Sequence, residues 1–493
     1  MGTVAALALY ALLLGGAAAA IWRRPVVALY LFVVGLAVHN AAMAALYGAG
    51  LRGSALTVVT AWKEILLGVA LVRVAVEARR ERQLPFDFGI VDALALAFAA
   101  LVVVYALIPQ DALGGGAGRH AVLLGARHDL VPVGAYFLGR SLRLGGEDLR
   151  RLAWTLLGTA AAVAAVGLVD VYTVSIGWWR SSAVVDYFRN HLGYDYHGTG
   201  GLPENFVYNT GSEDHFLRRL VSTFLSPLGS GYLFVVALLV AAAALRRRAA
   251  IVLGAVVFVG LLYTFSRSSL IALAAGFVVL ALVRREAWPL AAAVATIGVA
   301  IAWAHVYPSI GPTGKWTQAD LAYEREHAQE HPGASGSATS DKEPSIHSHL
   351  TSLRDGFRTM TDHPQGYGLG NVGQTASRTN TKILAGESNY TELGVELGVL
   401  GAVLWTAWGL GLLTGLVRCG AAAAGAVFAA ILVLAIQTDV IGDPWVAYCV
   451  WALGGLQLRV GLRRASQAAP GRRFASSPSA PAQPEPPGST SAA

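Results

Sequence analysis

The sequence has few charged residues for its length. Of 493 residues only 14% are Asp, Glu, Lys or Arg, whereas 55% are hydrophobic and the mean hydropathy is +0.53. Soluble domains carry about 25% charged residues, which cover their surface. The shortage excludes an ordinary soluble enzyme, a disordered chain and a fibre, and it favours a polytopic membrane protein.

Cysteine is also scarce. The chain has two, Cys419 and Cys449, and both fall in or beside apolar segments. They provide neither a disulfide framework nor the CxxC spacing of a metal site.

Positive charge is present but unevenly distributed. The net charge of +7 and the pI of about 9.4 would suggest nucleic-acid binding in a soluble protein. Here the arginines cluster between apolar segments, which is typical of the cytoplasmic loops that orient a membrane protein. The clusters therefore predict topology, and we expect no nucleic-acid partner.

Apolar segments long enough to cross a bilayer occupy most of the chain. We predict an all-α polytopic fold of about 12–13 transmembrane helices within residues 1–464. The first segment either spans the membrane or lies on it, and the C-terminus is expected in the cytoplasm. The candidate spans are 3–21, 26–47, 55–76, 88–108, 121–138, 153–176, 225–245, 249–265, 268–283, 287–306, 389–416, 420–438 and 444–460.

Two connections, residues 177–222 and 307–386, are much longer than the others. Loops of this length usually carry function, and the topology predicts that both are extracytoplasmic. The second contains helix-compatible stretches at Ala319–Glu330 and Ser345–Met360 around a break rich in Gly, Ser and Ala, so we expect a folded cap. Residues 465–493 are rich in Ala, Pro and Ser and are expected to form a disordered cytoplasmic tail.

Charged residues within the apolar segments are costly and often functional. Arg127 and Asp129 interrupt the fifth segment, where either a local ion pair or a binding role explains them. Lys63 and Glu64 are adjacent in the third segment and point about 100° apart on a helix, which favours pairing with other helices. A structural role is favoured for three further aspartates: Asp170, Asp439 and Asp443.

A few arginines lie at the membrane face opposite the clusters. Arg267 lies between two apolar segments whose other ends carry cytoplasmic arginines. Ser266 can cap the following helix, and a helix N-terminus beside an arginine suits an anion. Arg218 and Arg219 end the first long loop at a similar junction, and arginine binds phosphate through two parallel hydrogen bonds. Alternatively, these arginines are interfacial cations whose side chains reach lipid headgroups.

The end of the second loop contains two further candidate regions. Gly368 and Gly370 belong to a glycine-rich stretch that allows a tight turn close to a ligand. Glu387, followed by Asn389 and Tyr390, stands at the start of an apolar segment. Its carboxylate can accept a proton from a sugar hydroxyl or complement the helix dipole.

Four stretches in this order resemble the bacterial O-antigen ligase and polymerase superfamily. Residues 219–227 (RLVSTFLSP) resemble its arginine-then-TF-x-x-P motif, and residues 264–268 (TFSRS) resemble T-x-S-R-[GS]. Residues 363–371 (HPQGYGLGN) resemble hP-x-x-G-x-G-x-G-n, and residues 387–401 (ESNYTELGVELGVLG) resemble [HE]-[NS]-x-Y-x-x-x-x-x-E-x-G-x-x-G. The resemblance covers residues 218–401, and the topology extends it to most of the chain.

The resemblance implies a GT-C-like membrane glycosyltransferase. Such enzymes transfer a glycan from a polyprenyl diphosphate, usually undecaprenyl diphosphate, to a glycan or lipid acceptor at the outer face of the bacterial cytoplasmic membrane. They need no metal, cofactor or nucleotide sugar. By this resemblance Arg267, with Arg218 or Arg219, would bind the diphosphate, and Glu387 would take the acceptor proton. Further candidates are Arg127 for the diphosphate and Asn389, Tyr390, Gly368 and Gly370 for the glycan.

Glu387 is a departure from the ligases, which typically have histidine at that position, whereas some polymerase-like relatives have glutamate. This difference weakens the assignment as a ligase more than the assignment as a glycosyltransferase. The alternative function is a transporter of a lipid-linked or anionic envelope precursor, because Arg127 and Lys63 lie within predicted spans.

Overall fold

The computed structural model describes residues 2–194, 196, 198–210, 212, 214–330, 344–382, 384 and 387–468. These residues form a helical bundle with small strands in its loops. The α-helices are α1 (Gly2–Arg23), α2 (Val27–Gly48), α3 (Gly53–Thr60), α4 (Trp62–Glu81), α5 (Ile90–Leu107), α6 (Arg119–Ser141), α7 (Gly146–Thr173), α8 (Ile176–Ser181), α9 (Ala183–Asp186), α10 (Pro227–Ala244), α11 (Arg248–Tyr263), α12 (Arg267–Arg284), α13 (Trp288–Ile310), α14 (Gln318–Glu330), α15 (Pro344–Asp362), α16 (Gly373–Arg378), α17 (Asn389–Arg418), α18 (Ala422–Leu434) and α19 (Trp451–Ala468). The strands are β1 (Val207–Tyr208), β2 (His215–Arg218) and β3 (Thr313–Lys315).

Nine helices in the described part of the chain are long and apolar enough to cross a membrane. They comprise α1, α2, the α3–α4 pair, α5, α7, α10, α12, α13 and α17. The other predicted spans correspond to α6, to the shorter apolar helices α11 and α18, and to the helix at Val446–Leu462. α6 is long enough to span but carries Arg127 and Asp129 near its middle. The all-α polytopic membrane fold predicted from composition is therefore confirmed.

The connections between these helices fall at two ends of the bundle. One end carries the arginine clusters, and we call it the arginine end: Arg24, Arg151 and Arg247 line one pocket there. The other end carries both long loops, and we call it the loop end. The side of the membrane that each end faces stays a prediction.

A buried ion pair joins α5 to α6 near the arginine end. Arg140 Nε and Nη2 donate to the two carboxylate oxygens of Asp92, at 2.8 and 2.9 Å. Tyr136 donates to the same carboxylate at 2.7 Å, and so does the backbone N–H of Gly89 at 2.9 Å. Both charged side chains are 1% exposed. The hydrogen bonds compensate for the desolvation of the two charges.

The two long loops form one cap at the loop end. β2 pairs antiparallel with β1 of the same loop and with β3 of the other, and Phe216 lies opposite Gly314. Arg180 of the first loop forms an ion pair with Asp320 of α14. The sheet and the ion pair therefore hold the two loops together.

Helices α14 and α15 occupy the two stretches of the second loop that are helix-compatible in sequence. The break predicted between them, around 333–340, lies outside the described residues. At the other end of the chain, α19 continues to Ala468, past the predicted start of the tail at 465. Residues 469–493 lie outside the described residues.

α17 is interrupted at Gly398, which has φ 72° and ψ −179°. The N–H of Val399 donates to Pro364 O at 2.9 Å, and the carbonyls of the preceding helical turn accept from the N–H groups of Tyr367 and Gly368. Non-helical backbone is tolerated inside a membrane protein where other protein groups satisfy it. The predicted span 389–416 therefore consists of two helical segments, and the glycine-rich stretch closes the gap between them.

Candidate functional site

α12 begins at the loop end with a capped turn. Ser266 is the N-cap, and its hydroxyl accepts a hydrogen bond from Ser269 N at 3.4 Å. Arg267 is the first helical residue and is half-buried. The sequence prediction that Ser266 caps this helix is confirmed, and Arg267 lies where the helix dipole favours an anion.

Arg218 is directed into the protein. Its side chain is 4% exposed, lies 3.4 Å from Asp170 Oδ2 and donates a hydrogen bond to Val174 O. Burial lowers the pKa of the guanidinium, and the nearby Asp170 carboxylate opposes this shift. These contacts fix the end of β2 to the end of α7. The Arg218 side chain therefore stabilises the fold at this point.

Arg219 lies beside the start of α12. Its Nε donates to Thr264 O at 2.9 Å, and the N–H of Leu220 donates to Tyr263 O at 2.9 Å. These bonds dock the end of the first loop onto the turn that leads to Arg267. Arg219, Arg267 and the intervening turn at 263–266 therefore form one unit, which we call the arginine junction.

Unusual backbone conformations occur at and next to the arginine junction. Ser222, Leu225 and Phe265 have φ angles of 49°, 53° and 49°. Non-glycine residues rarely adopt this region, and such strain clusters at functional sites. Arg82 and Arg285 also have positive φ, as helix C-caps, a common position for it, and Leu225 is likewise the C-cap of the 3₁₀ turn Ser222–Phe224.

Glu387 immediately precedes the capped start of α17. Ser388 is the N-cap, and its hydroxyl accepts from Tyr390 N at 3.3 Å. The Glu387 side chain is 48% exposed, and its Oε2 lies 2.8 Å from Nδ1 of His349 on α15. The carboxylate is therefore accessible, and it has a histidine partner that the sequence motifs do not indicate.

A group of ionisable side chains, all buried except the partly buried His128, lies next to this helix start. It comprises His128, Asp129, Glu392, Glu396 and Asp439, and we call it the buried acidic cluster. His128 contacts Asp129 Oδ1 through Nδ1 at 2.8 Å and Asp439 Oδ2 through Nε2 at 2.9 Å. Asp439 Oδ1 also accepts from the Asn389 amide at 2.6 Å, which links the cluster to the start of α17.

Within the described residues one group has side chains suited to a metal ion. Potential ligand atoms of His128, Glu392 and Asp439 all lie within 4.8 Å of one another. Both ring nitrogens of His128 already contact carboxylates, so a metal would have to displace one of those contacts. The three residues are far apart in sequence, which is why spacing does not reveal them. The expectation that the protein needs no metal stays a prediction.

Arg127 is 43% exposed and pairs with Glu64 at 3.4 Å. Asp129 pairs with His128, so Arg127 and Asp129 do not neutralise each other locally. Lys63 lies 3.6 Å from Glu64, so the charged residues of the third and fifth predicted spans form one group. A contact of Arg127 with a diphosphate stays a prediction.

The residues predicted to contact the glycan have internal contacts. Gly370 N donates to Glu396 Oε1 at 2.8 Å, and a side chain at Gly368 would overlap Gln110. Asn389 is fully buried, and the Tyr390 hydroxyl donates to a backbone carbonyl of α18. These residues therefore make structural contacts within the protein, and their direct contact with a glycan stays a prediction.

The arginine junction and Glu387 belong to the same end of the bundle. α10 contacts both regions: a Cβ at Gly231 would lie 2.7 Å from Ser269 Oγ, and one at Gly229 would lie 2.6 Å from Asp443 Oδ2. Asp443 belongs to the connection between α18 and α19, which is bonded to the start of α17. One helix therefore links the two candidate regions at the loop end.

These features define a polytopic membrane protein with a cationic and an acidic site at one end. Residues 249–406 match the protein family described as O-antigen ligase. The match includes Arg267 and Glu387, and it supports the resemblance to the O-antigen ligase and polymerase superfamily that the motifs show. A comparison with curated proteins finds no match.

Proposed function

We propose that this protein transfers or polymerises a glycan from a polyprenyl diphosphate, such as undecaprenyl diphosphate, onto an acceptor hydroxyl. The reaction takes place at the outer face of the bacterial cytoplasmic membrane, in the assembly of envelope polysaccharide. The observation that carries this proposal is the arginine junction, in which Arg219 is bonded to the turn before Arg267, and Arg267 lies in the region that matches O-antigen ligase. The arginine clusters at the opposite end support an outward orientation of the loop end.

The arginine junction suits a diphosphate leaving group. Guanidinium groups bind phosphate oxygens through paired, charge-assisted hydrogen bonds. Arg267 adds this charge at a helix N-terminus, where the dipole already favours an anion. Negative charge grows on the diphosphate as its bond to the sugar breaks, so these groups stabilise the transition state electrostatically without a metal. Arg218 supports the junction from within the protein.

The acceptor reacts on the Glu387 side of the site. Its hydroxyl attacks the anomeric carbon of the donor sugar with inversion, and its proton is removed at the start of α17, where Glu387 is exposed. The first turns of α17 are held in place by contacts with Met360, with the glycine-rich stretch and, through Asn389, with Asp439.

Transport of a lipid-linked precursor is the second candidate. The buried acidic cluster favours it, because ionisable residues within membrane helices often mark a translocation path. In the described residues, however, His128 and Asp439 are engaged with each other and with neighbouring helices.

Reconstitution in vesicles tests the proposed function. The purified protein, given a polyprenyl diphosphate glycan and an acceptor in the presence of EDTA, should form glycosidic bonds, because arginines and not a metal stabilise the leaving group. Product is measured by chromatography of the labelled glycan. Movement of intact donor across the bilayer without a new bond would favour the transporter. Loss of transfer in EDTA that Mg²⁺ or Mn²⁺ restores would contradict the metal-independent chemistry and direct attention to His128, Glu392 and Asp439.

A further inference from the structure

His349 and Glu387 form a hydrogen-bonded pair at the loop end. Nδ1 of His349 lies 2.8 Å from Oε2 of Glu387, and the two side chains are 35% and 48% exposed. They are 38 residues apart in sequence. Neither side chain is buried, so solvent can reach the pair.

His349 belongs to α15, which packs against α17. Met360 on α15 is 9% exposed and packs against Val395 and Val372. It also fills the space above Gly394, where any side chain would overlap it. One end of α15 is therefore anchored to α17, and His349 lies on the same helix beside the start of α17.

The pair has the chemistry of an oriented imidazole. A carboxylate that accepts the Nδ1–H of histidine fixes the tautomer, so that Nε2 carries the free lone pair. It also stabilises the imidazolium that forms when Nε2 takes a proton, which is how a carboxylate supports histidine in serine hydrolases. An exposed Glu387 acting alone would be a weaker base than this imidazole, because the pKa of a carboxylate in water is lower than that of histidine.

We infer that His349 is the catalytic base of the transfer reaction and that Glu387 is its positioning residue. This inference rests on the proposed function. The acceptor oxygen forms a bond to the anomeric carbon, and the bond from that carbon to the diphosphate oxygen breaks, with its electron pair leaving on the diphosphate. The hydroxyl proton moves to Nε2 of His349 and is later released to water.

Four variants test the pair with the full-length protein in vesicles that contain donor and acceptor. His349→Ala should lower kcat by about 10²-fold, the lower end for loss of a general base, with an unchanged KM for the donor. Glu387→Gln should lower kcat by about tenfold, since it removes the charge that supports the imidazolium. The double variant should be no worse than His349→Ala, because groups that act as a unit are not additive. His305→Ala changes an exposed histidine on α13 and should leave kcat unchanged.

Added imidazole should restore part of the activity of His349→Ala and none of the activity of Glu387→Gln. A structural loss would not respond to imidazole, so rescue separates chemistry from folding. A nearly normal His349→Ala beside an inactive Glu387→Gln would overturn the pair and leave Glu387 itself as the base. Additive losses in the double variant would also overturn it. If the wild-type protein forms no glycosidic bond in this assay, the proposed function itself fails.

Discussion

Replacing Arg267 with alanine should reduce glycan transfer by about 10²–10³-fold, the usual cost of removing one donor from a charge-stabilising site. Arg267 lies at the N-terminus of α12, next to the turn that Arg219 contacts, and the proposed reaction develops negative charge there on the departing diphosphate. The loss should appear in kcat, since the interaction strengthens as the bond breaks. Initial rates in vesicles, at matched protein levels, measure the effect.

Two companion variants sharpen this test. Arg267→Lys keeps the charge but loses the paired hydrogen bonds of guanidinium, so it should fall between alanine and the wild type. Arg246→Ala removes an exposed arginine at the arginine end and should have wild-type activity. Equal activity of Arg267→Ala and Arg246→Ala would reject the arginine junction as the diphosphate site.

Replacing Asp92 with asparagine should lower the free energy of unfolding by about 3–5 kcal/mol, the cost of leaving one partner of a buried ion pair uncompensated. Asp92 and Arg140 are both 1% exposed, and the change leaves the guanidinium without its counter-charge. Unfolding of the purified protein in detergent, followed by intrinsic fluorescence, measures the loss. The transfer chemistry of the folded fraction should be unchanged, since the pair lies near the arginine end.

The exposed pair of Glu147 and Arg151 provides the matched control. Glu147→Gln should change stability little, because exposed ion pairs contribute little. Replacing both Asp92 and Arg140 with apolar residues of similar volume should recover much of the lost stability. If Asp92→Asn and Glu147→Gln were equally stable, the assignment of α5 and α6 to a shared buried network would be wrong.

The membrane helices could be predicted from sequence because hydrophobic length is a local property. The predicted apolar segments correspond to helices, including α6 despite its charges, although the segment 55–76 comprises both α3 and α4. Arg267 and Ser266 could also be predicted, since a cap and its helix are adjacent in the chain. The break at Gly398 could not, because it depends on contacts with the glycine-rich stretch.

The roles of Arg218 and Arg219 could not be separated from sequence, since the two are adjacent. The structure separates them because side chains alternate in direction along an extended chain. Arg218 points toward Asp170 inside the protein, whereas Arg219 reaches Thr264 at the start of the arginine junction. Only the position of β2 decides which of the two faces the site.

The partners of Glu387 and of His128 could not be predicted because they are distant in sequence. In the sequence motif, Glu387 stands at the position where the ligases typically have histidine. The motif does not show which other residue could supply an imidazole. In the structure, the imidazole of His349 on α15 lies next to Glu387. His128 similarly meets Asp439 only in the folded bundle.

The number of polyprenyl diphosphate molecules released for each glycosidic bond formed tests the proposed reaction most directly. Both products can be counted in one vesicle reaction, with a donor labelled in the lipid and in the sugar. Direct attack of the acceptor at the anomeric carbon predicts a ratio of one, with the diphosphate intact. Bond formation without released diphosphate, or labelled donor that crosses the bilayer unchanged, would contradict a transferase that uses the diphosphate as its leaving group.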